Sequence, residues 1–278
     1  MRFSLFIICL GSALLFSGCG PKYQFEQAQK LEKNGYYVQA GYKYHSICRK
    51  YATDKRCPEA LYRLASIYQK KLKLYKQSAQ YYRRLIEFYP SSLPWASLAK
   101  QGLMDSPDYY PLNAGNFWIE GDSETQGRNM RAEWNCHEVS TGTFLISRKL
   151  YAGPSRVAEI KRFYKKADFE LREYSSPASA AYSVVLQYPY EAGRAWQTVR
   201  DGRKVFSKIV ANDVSVKVKA GQFNNCLKVS ELNPELPGSV KYNYYAPEAG
   251  WILTTITVSG GTEHNNTELL SYKVMPAK

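Results

Sequence analysis

The chain has 278 residues, and 38 Lys+Arg against 24 Asp+Glu give a formal net charge of +14. That length allows one large domain or two modest ones. A hydrophobic content of 45% with 22% charged residues is that of a globular chain, and it excludes a wholly disordered protein and a polytopic membrane protein. The basic excess suits nucleic acid, an anionic membrane surface or an acidic partner.

Met1 and Arg2 precede an apolar run from Phe3 to Phe16, interrupted only by Ser4, Gly11 and Ser12. The run is too short for the roughly 20 residues of a bilayer-spanning helix. Its basic start and the small residues after it predict an export signal. It ends Leu15-Phe16-Ser17-Gly18-Cys19, which resembles the lipobox of bacterial lipoproteins, with Phe16 departing from the usual Leu. The resemblance implies that residues 1–18 are a signal peptide cut before Cys19. Cys19 would then carry diacylglycerol on its sulfur and a third acyl chain on its new amine, and residues 19–21 would form a lipid-anchored start. Two or more acyl chains anchor stably. In that family an Asp after the Cys favours the inner membrane; Gly20 stands there instead, which implies an outer-membrane protein facing the periplasm where the host has two membranes.

Four cysteines remain beyond Cys9 and Cys19: Cys48, Cys57, Cys136 and Cys226. An even number in an oxidising compartment predicts two disulfides, with three possible connectivities. Cys48–Cys57 and Cys136–Cys226 is the simplest, because each pair stays within one predicted domain. No CxxC occurs, so redox catalysis and zinc ribbons have little support.

Residues 22–104 read as a helical domain. Leu61, Leu64, Ala65 and Tyr68 fall on one helical face, as do Ala79, Tyr82, Leu85 and Tyr89 in the helix that Pro90 stops. Lys33 to Ala40 is a turn between two helices, and Tyr42 to Tyr51 supplies the second of them. The pattern resembles the tetratricopeptide repeat. Ala28, Leu31, Gly35, Tyr37, Ala40, Tyr44 and Ile47 match a first repeat. Leu61, Leu64, Ala65, Tyr68, Tyr75, Ser78, Tyr82, Leu85 and Pro90 match a second, with one extra residue in its inter-helix turn. Trp95, Leu98 and Ala99 look like a capping helix. The resemblance implies a concave face that binds a peptide or partner helix, lined by Gln29, Lys33, Tyr62, Ser66, Gln69 and Lys100.

Residues 105–109 are expected to be a linker, and 110–278 an antiparallel β domain, because Gly and Pro then punctuate short Val/Ile/Tyr/Phe/Thr-rich runs. Val214 to Lys219 alternates apolar and polar, Val240–Tyr245 and Gly250–Val258 are expected to pair, and Leu269 to Val274 to close the sheet. In residues 156–172, Lys161, Lys165 and Lys166 suit a helix, yet Ile160, Phe163, Tyr164, Phe169 and Leu171 fit two strands, and the strand reading is preferred. Tyr109-Tyr110-Pro111-Leu112-Asn113-Ala114-Gly115-Asn116-Phe117-Trp118, Val218 to Val229, and Tyr244-Tyr245-Ala246-Pro247-Glu248-Ala249-Gly250-Trp251-Ile252 resemble three ordered segments of a family of bacterial secreted and lipoprotein domains with no assigned activity. Tyr188 to Trp196 repeats the opening pattern. Trp118 and Trp196 are expected core anchors whose indole N–H groups find carbonyls. The fold class is therefore α + β: helical repeats followed by a curved antiparallel sheet or half-open barrel.

No catalytic or metal motif appears, and no cofactor is implied. His45, His137 and His264 stand apart from one another. Cys136 and His137, adjacent on a strand, point to opposite faces, and Cys226 with His264 is the one conceivable nucleophile–base pair. Glu120, Asp122 and Glu124 before Gly127 read as a solvated loop with at most weak cation binding. Residues 20–105 carry 16 Lys+Arg against 6 Asp+Glu, and residues 106–278 carry 21 against 18, so the basic excess belongs to the helical part. Export and the lack of any nucleic-acid motif turn that charge toward an anionic leaflet, a cell-wall polymer or an acidic partner. The expected role is a lipid-anchored scaffold or assembly factor that captures another envelope protein. A carrier of lipid or hydrophobic ligand, and an envelope hydrolase, are the alternatives.

Overall fold

The computed structural model describes residues 20–258 and 261–275. The described residues divide into two compact units, one up to residue 96 and the other from residue 97.

The first unit holds α1 (Pro21–Lys33), α2 (Tyr37–Lys50), α3 (Cys57–Ser66), α4 (Tyr75–Phe88) and the start of α5 (Trp95–Met104). Pro21 opens α1 where its missing N–H is no loss. Gly35, at φ 81°, makes the turn into α2. α3 runs on into a π-helical turn, Ile67–Lys71, closed by Leu72 N–H to the Ile67 carbonyl at 3.1 Å. α1 packs on α2, α2 on α3 and α3 on α4. The smallest side chains sit inside: Ala28, Ala40, Ala65 and Ser78 are 0% exposed, beside buried Tyr44, Ile47, Leu61, Leu64 and Leu85. Interiors are close-packed, so a larger residue at any of these four would force the helices apart. Glu32 ties three helices, accepting from the Tyr44 hydroxyl at 2.7 Å and pairing with Arg63 at 3.2 Å.

The second unit is a 12-stranded antiparallel sheet. Its strands are β1 (Phe117–Asp122), β2 (Met130–Ser140), β3 (Thr143–Ala152), β4 (Ser155–Ala167), β5 (Glu170–Tyr174), β6 (Ser183–Gln187), β7 (Ala195–Arg200), β8 (Arg203–Val218), β9 (Gly221–Leu232), β10 (Ser239–Ala246), β11 (Gly250–Val258) and β12 (His264–Lys273). The spatial order β6-β5-β4-β3-β2-β1-β12-β11-β10-β9-β8-β7 is an up-and-down meander whose first and last strands pair, Phe117 with Lys273 through to Asp122 with Thr267. Backbone pairing stops between β6 and β7. Side chains bridge that seam: Ser183 donates to the Val199 carbonyl at 2.6 Å, Val184 N–H to Thr198 Oγ1 at 2.8 Å, and the Trp196 indole to the Val184 carbonyl at 3.1 Å. The result is a nearly closed barrel.

Residues 156–172 are two strands. Asp168 and Phe169 join β4 to β5 with consecutive positive φ values of 51° and 63°, as a tight hairpin turn requires. The stretch 105–109 is no free linker: Asp105 and Asp108 clasp Lys166 of β4 at 2.6 and 2.7 Å, and Tyr109 is buried. The expected disulfides are not formed; Cys48, Cys57, Cys136 and Cys226 are buried free thiols. Cys48 donates to the Cys57 carbonyl at 3.3 Å and Cys57 to the Tyr51 carbonyl at 3.0 Å, so thiol hydrogen bonds tie the α2–α3 connector. Cys136 on β2 and Cys226 on β9 have β1, β12, β11 and β10 between them in the sheet.

Candidate functional site

Alternate residues of each strand face the barrel interior, and that inner face changes character along its length. On every odd-numbered strand an apolar or small residue is followed two positions later by a polar one that lines a cavity or its wall. The pairs are Trp118–Glu120, Ile146–Arg148, Leu171–Glu173, Thr198–Arg200, Val229–Glu231 and Ile252–Thr254. In an antiparallel meander all odd strands run the same way, so these polar residues gather at one end. On β10, running the other way, the order reverses to Lys241, Asn243, Tyr245. The barrel is therefore apolar and packed at one end, with a polar cavity of about 420 Å³ at the other.

The floor of the cavity comes from the sequence segments singled out above. Tyr109 and Tyr110 enter the barrel as a plug, the Tyr109 hydroxyl donating to the Asn225 carbonyl at 2.9 Å. Tyr109 also meets Tyr190 edge-on at 5.2 Å. Asp108 and Ala249 accept from the third segment and the first, respectively: Glu248 N–H reaches the Asp108 carbonyl at 2.7 Å, and the Trp118 indole the Ala249 carbonyl at 2.7 Å. Segments spread over some 140 residues thus meet around one plug. Both expected tryptophan anchors, Trp118 and Trp196, find backbone carbonyls.

The cavity wall pairs its charges. Glu120 accepts from Arg148 at 2.7 Å and from the Trp134 indole at 2.9 Å. Glu231 pairs with Arg200 at 2.9 Å and Lys241 at 3.2 Å. Glu173 accepts from the Tyr164 hydroxyl at 2.5 Å. Burial works against the charge on Glu231, but Lys241 and Arg200 outweigh it and hold the carboxyl down at about 2. Burial, with Tyr110 and Glu173 beside it, holds the Tyr164 hydroxyl well above the usual phenol range. Trp134 and Trp251 stack in parallel at 5.9 Å, with the Arg148 guanidinium 5.0 Å from the Trp134 ring centre.

The residues expected to act are placed unevenly. Cys19 lies outside the described residues. Lys33 is exposed on α1, while Gln29 and Ser66 are half-buried. Tyr62 packs between Tyr82 at 5.9 Å and Trp95 at 5.4 Å. Gln69 faces inward instead of lining a surface: it is buried and accepts from the Tyr82 hydroxyl at 2.9 Å. Lys100 is exposed on the part of α5 that belongs to the second unit. Glu120 does not sit in a solvated loop but inside the barrel, because β1 extends through Asp122, whose carboxylate caps the following turn at Thr125 N–H, 2.7 Å away. Cys226 is buried and His264 exposed, and no metal-ligand cluster occurs among the described residues. The cavity itself escaped sequence reasoning, although the apolar-x-polar steps on alternate strands encode it.

No family profile and no curated protein matches the chain. Among solved structures, a protein from Bacteroides fragilis assigned as exported, with a YmcC-like fold, is 12% identical at a TM-score of 0.42. A protein from Parabacteroides distasonis assigned as a lipoprotein is 15% identical at 0.33. Each match covers 59% of this chain and 98% of the other. Likeness at these scores carries no inference.

Proposed function

We propose that the protein is a lipid-anchored envelope protein that acts by binding, docking another envelope protein on a basic, tetratricopeptide-like helical unit. The observation that carries this reading is the placement of the small residues of both repeats, Ala28, Ala40, Ala65 and Ser78, at 0% exposure where successive helices meet. The π turn at Ile67–Lys71 supports the same register, since an i→i+5 turn takes up the one residue by which the second repeat exceeds the pattern. Sixteen Lys+Arg against six Asp+Glu over residues 20–105 favour an acidic segment as the bound element. Outer-membrane anchoring through Cys19 rests on the lipobox and on Gly20. The barrel is the weaker candidate for a hydrophobic carrier, because an apolar cargo would leave its wall charges desolvated.

The test is site-specific photocrosslinking in intact cells, with the probe at Lys33 or Ser66 and, as a control, at Val157 on the exposed side of β4. The expected result is a discrete adduct from positions 33 and 66 that weakens when Lys70 and Lys71 are changed to Glu. Adducts from none of these positions, or equally from all three, overturn the docking reading. Labelled palmitate incorporated equally into Cys19→Ala overturns the anchor.

A further inference from the structure

We propose that the barrel cavity is a carbohydrate site fitted to a neutral sugar bearing an N-acetyl group. Its volume of about 420 Å³ lies within the range of roughly 300–1,000 Å³ typical of small-ligand sites. Its wall carries three carboxylates, Glu120, Glu173 and Glu231, and three cations, Arg148, Arg200 and Lys241. This balance selects by exclusion. Summed over the wall, a ligand with net charge finds no surplus counter-charge, and an apolar one strands buried ions. What remains is a neutral molecule dense in groups that both donate and accept. A sugar hydroxyl does both, so one hydroxyl can accept from a guanidinium and donate to the carboxylate paired with it.

Two further features sharpen the class. Beside the polar wall stand Trp134 and Trp251, with the Trp251 indole oriented by its bond to Thr254 Oγ1 at 2.9 Å. The C–H face of a sugar ring packs on such aromatic surface, whereas a hydrated ion does not. Tyr110, Trp134 and Trp251 also help line a separate apolar niche of about 10 Å³, completed by Pro111, Trp118 and Gly250. That is room for one water- or methyl-sized group. With almost no polar surface around it, an acetamido methyl suits it better than water. The ring hydroxyls would meet the charged wall and the methyl the niche.

The experiment is calorimetric titration of the full chain, held in a non-glycosidic detergent, with chitotriose and with cellotriose, which differs only in carrying a hydroxyl where each acetamido group stands. The expected result is a chitotriose Kd below about 1 mM, with cellotriose about tenfold weaker. Trp251→Phe and, independently, Lys241→Met should each weaken chitotriose about tenfold while thermal melting shows the barrel still folded. The control Val157→Ala, on the outer face, should change nothing. Absence of chitotriose binding by the folded wild type overturns the site. Equal affinity for the two sugars overturns the N-acetyl assignment. Binding unchanged in both cavity variants places the sugar elsewhere and overturns the proposal. The Lys33 and Ser66 crosslinks do not depend on these residues, so the docking reading stands or falls separately.

Discussion

Gly121 on β1 shows how tightly the turn beneath the barrel wall is drawn. A Cβ there would stand 2.6 Å from the Gly127 Cα and 2.6 Å from Leu270 Cδ1. The leucine end can move, but the glycine backbone cannot without breaking the turn that Asp122 caps. Gly121→Ala is therefore expected to cost about 3 kcal/mol or more. Gly250→Ala meets Pro111 at a tolerable 3.4 Å and pays mainly for its φ of 91°, about 1–2 kcal/mol. Urea unfolding followed by tryptophan fluorescence should rank the two in that order, and the reverse order would show that the turn yields. Glu231 gives a pH test. Its folded value of about 2 lies below the ordinary 4.5, so the stability it contributes is present above about pH 4.5 and lost as pH falls through 2. The amount is on the order of 3 kcal/mol. Glu231→Gln should flatten that part of the acid limb; an unchanged limb would mean its ion pairs contribute nothing. At this scale the sequence was legible where a residue has one demand. A tryptophan must bury its ring and pair its N–H, and Trp118 and Trp196 do both. Glu120 was misread because a carboxylate's partner, here Arg148 on a strand 28 residues away, leaves no local mark.

The element most exposed to disruption is the seam between β6 and β7. Three side-chain hydrogen bonds do there what a backbone ladder does between other neighbours. Thr198→Val keeps the shape but removes the acceptor of the Val184 N–H, leaving a buried donor unpaired at a cost of about 1–3 kcal/mol. Hydrogen exchange should then accelerate at Val184 and Val185 by about tenfold or more while the β1–β12 pairing stays protected. Acceleration spread evenly round the barrel would mean that the seam is no weaker than the rest. Strand existence was readable from period-two alternation, as at Val214 to Val218. Residues 156–172 were readable only as a preference for two strands, because Lys161, Lys165 and Lys166 mimic a helical face and the Asp168-Phe169 turn lacks the Gly or Asn that normally announces one. The seam had no signal, since a Thr hydroxyl substituting for a backbone group looks like any strand threonine. The barrel's polar end did have one: a polar residue two places after an inward apolar one, recurring on alternate strands. It becomes visible only when strands are compared with each other rather than taken singly.

For the whole molecule the decisive quantity is where the charge lies. The net +14 resolves into +10 over residues 20–105 (16 minus 6) and +3 over residues 106–278 (21 minus 18), with Arg2 supplying the remainder. The barrel nearly neutralises itself, and its cavity wall sets three carboxylates against three cations, so the helical unit is the basic surface, and it follows Cys19 directly in the chain. A Lys or Arg near an anionic leaflet contributes about 1 kcal/mol, and this attraction fades beyond a Debye length of about 8 Å at physiological salt. A handful of well-placed cations would then hold the unit against such a leaflet even without acyl chains. The corresponding measurement is vesicle sedimentation of the Cys19→Ala chain with phosphatidylglycerol or phosphatidylcholine vesicles. Membrane attraction predicts binding to the anionic vesicles alone, lost as salt rises from about 50 to 500 mM, and weakened by Lys70→Glu with Lys71→Glu. Equal binding to both vesicle types would reject a charge-driven membrane contact. Binding to neither would leave the cations of residues 20–105 to an acidic partner segment, because that many like charges in so short a stretch repel one another and need a counter-surface.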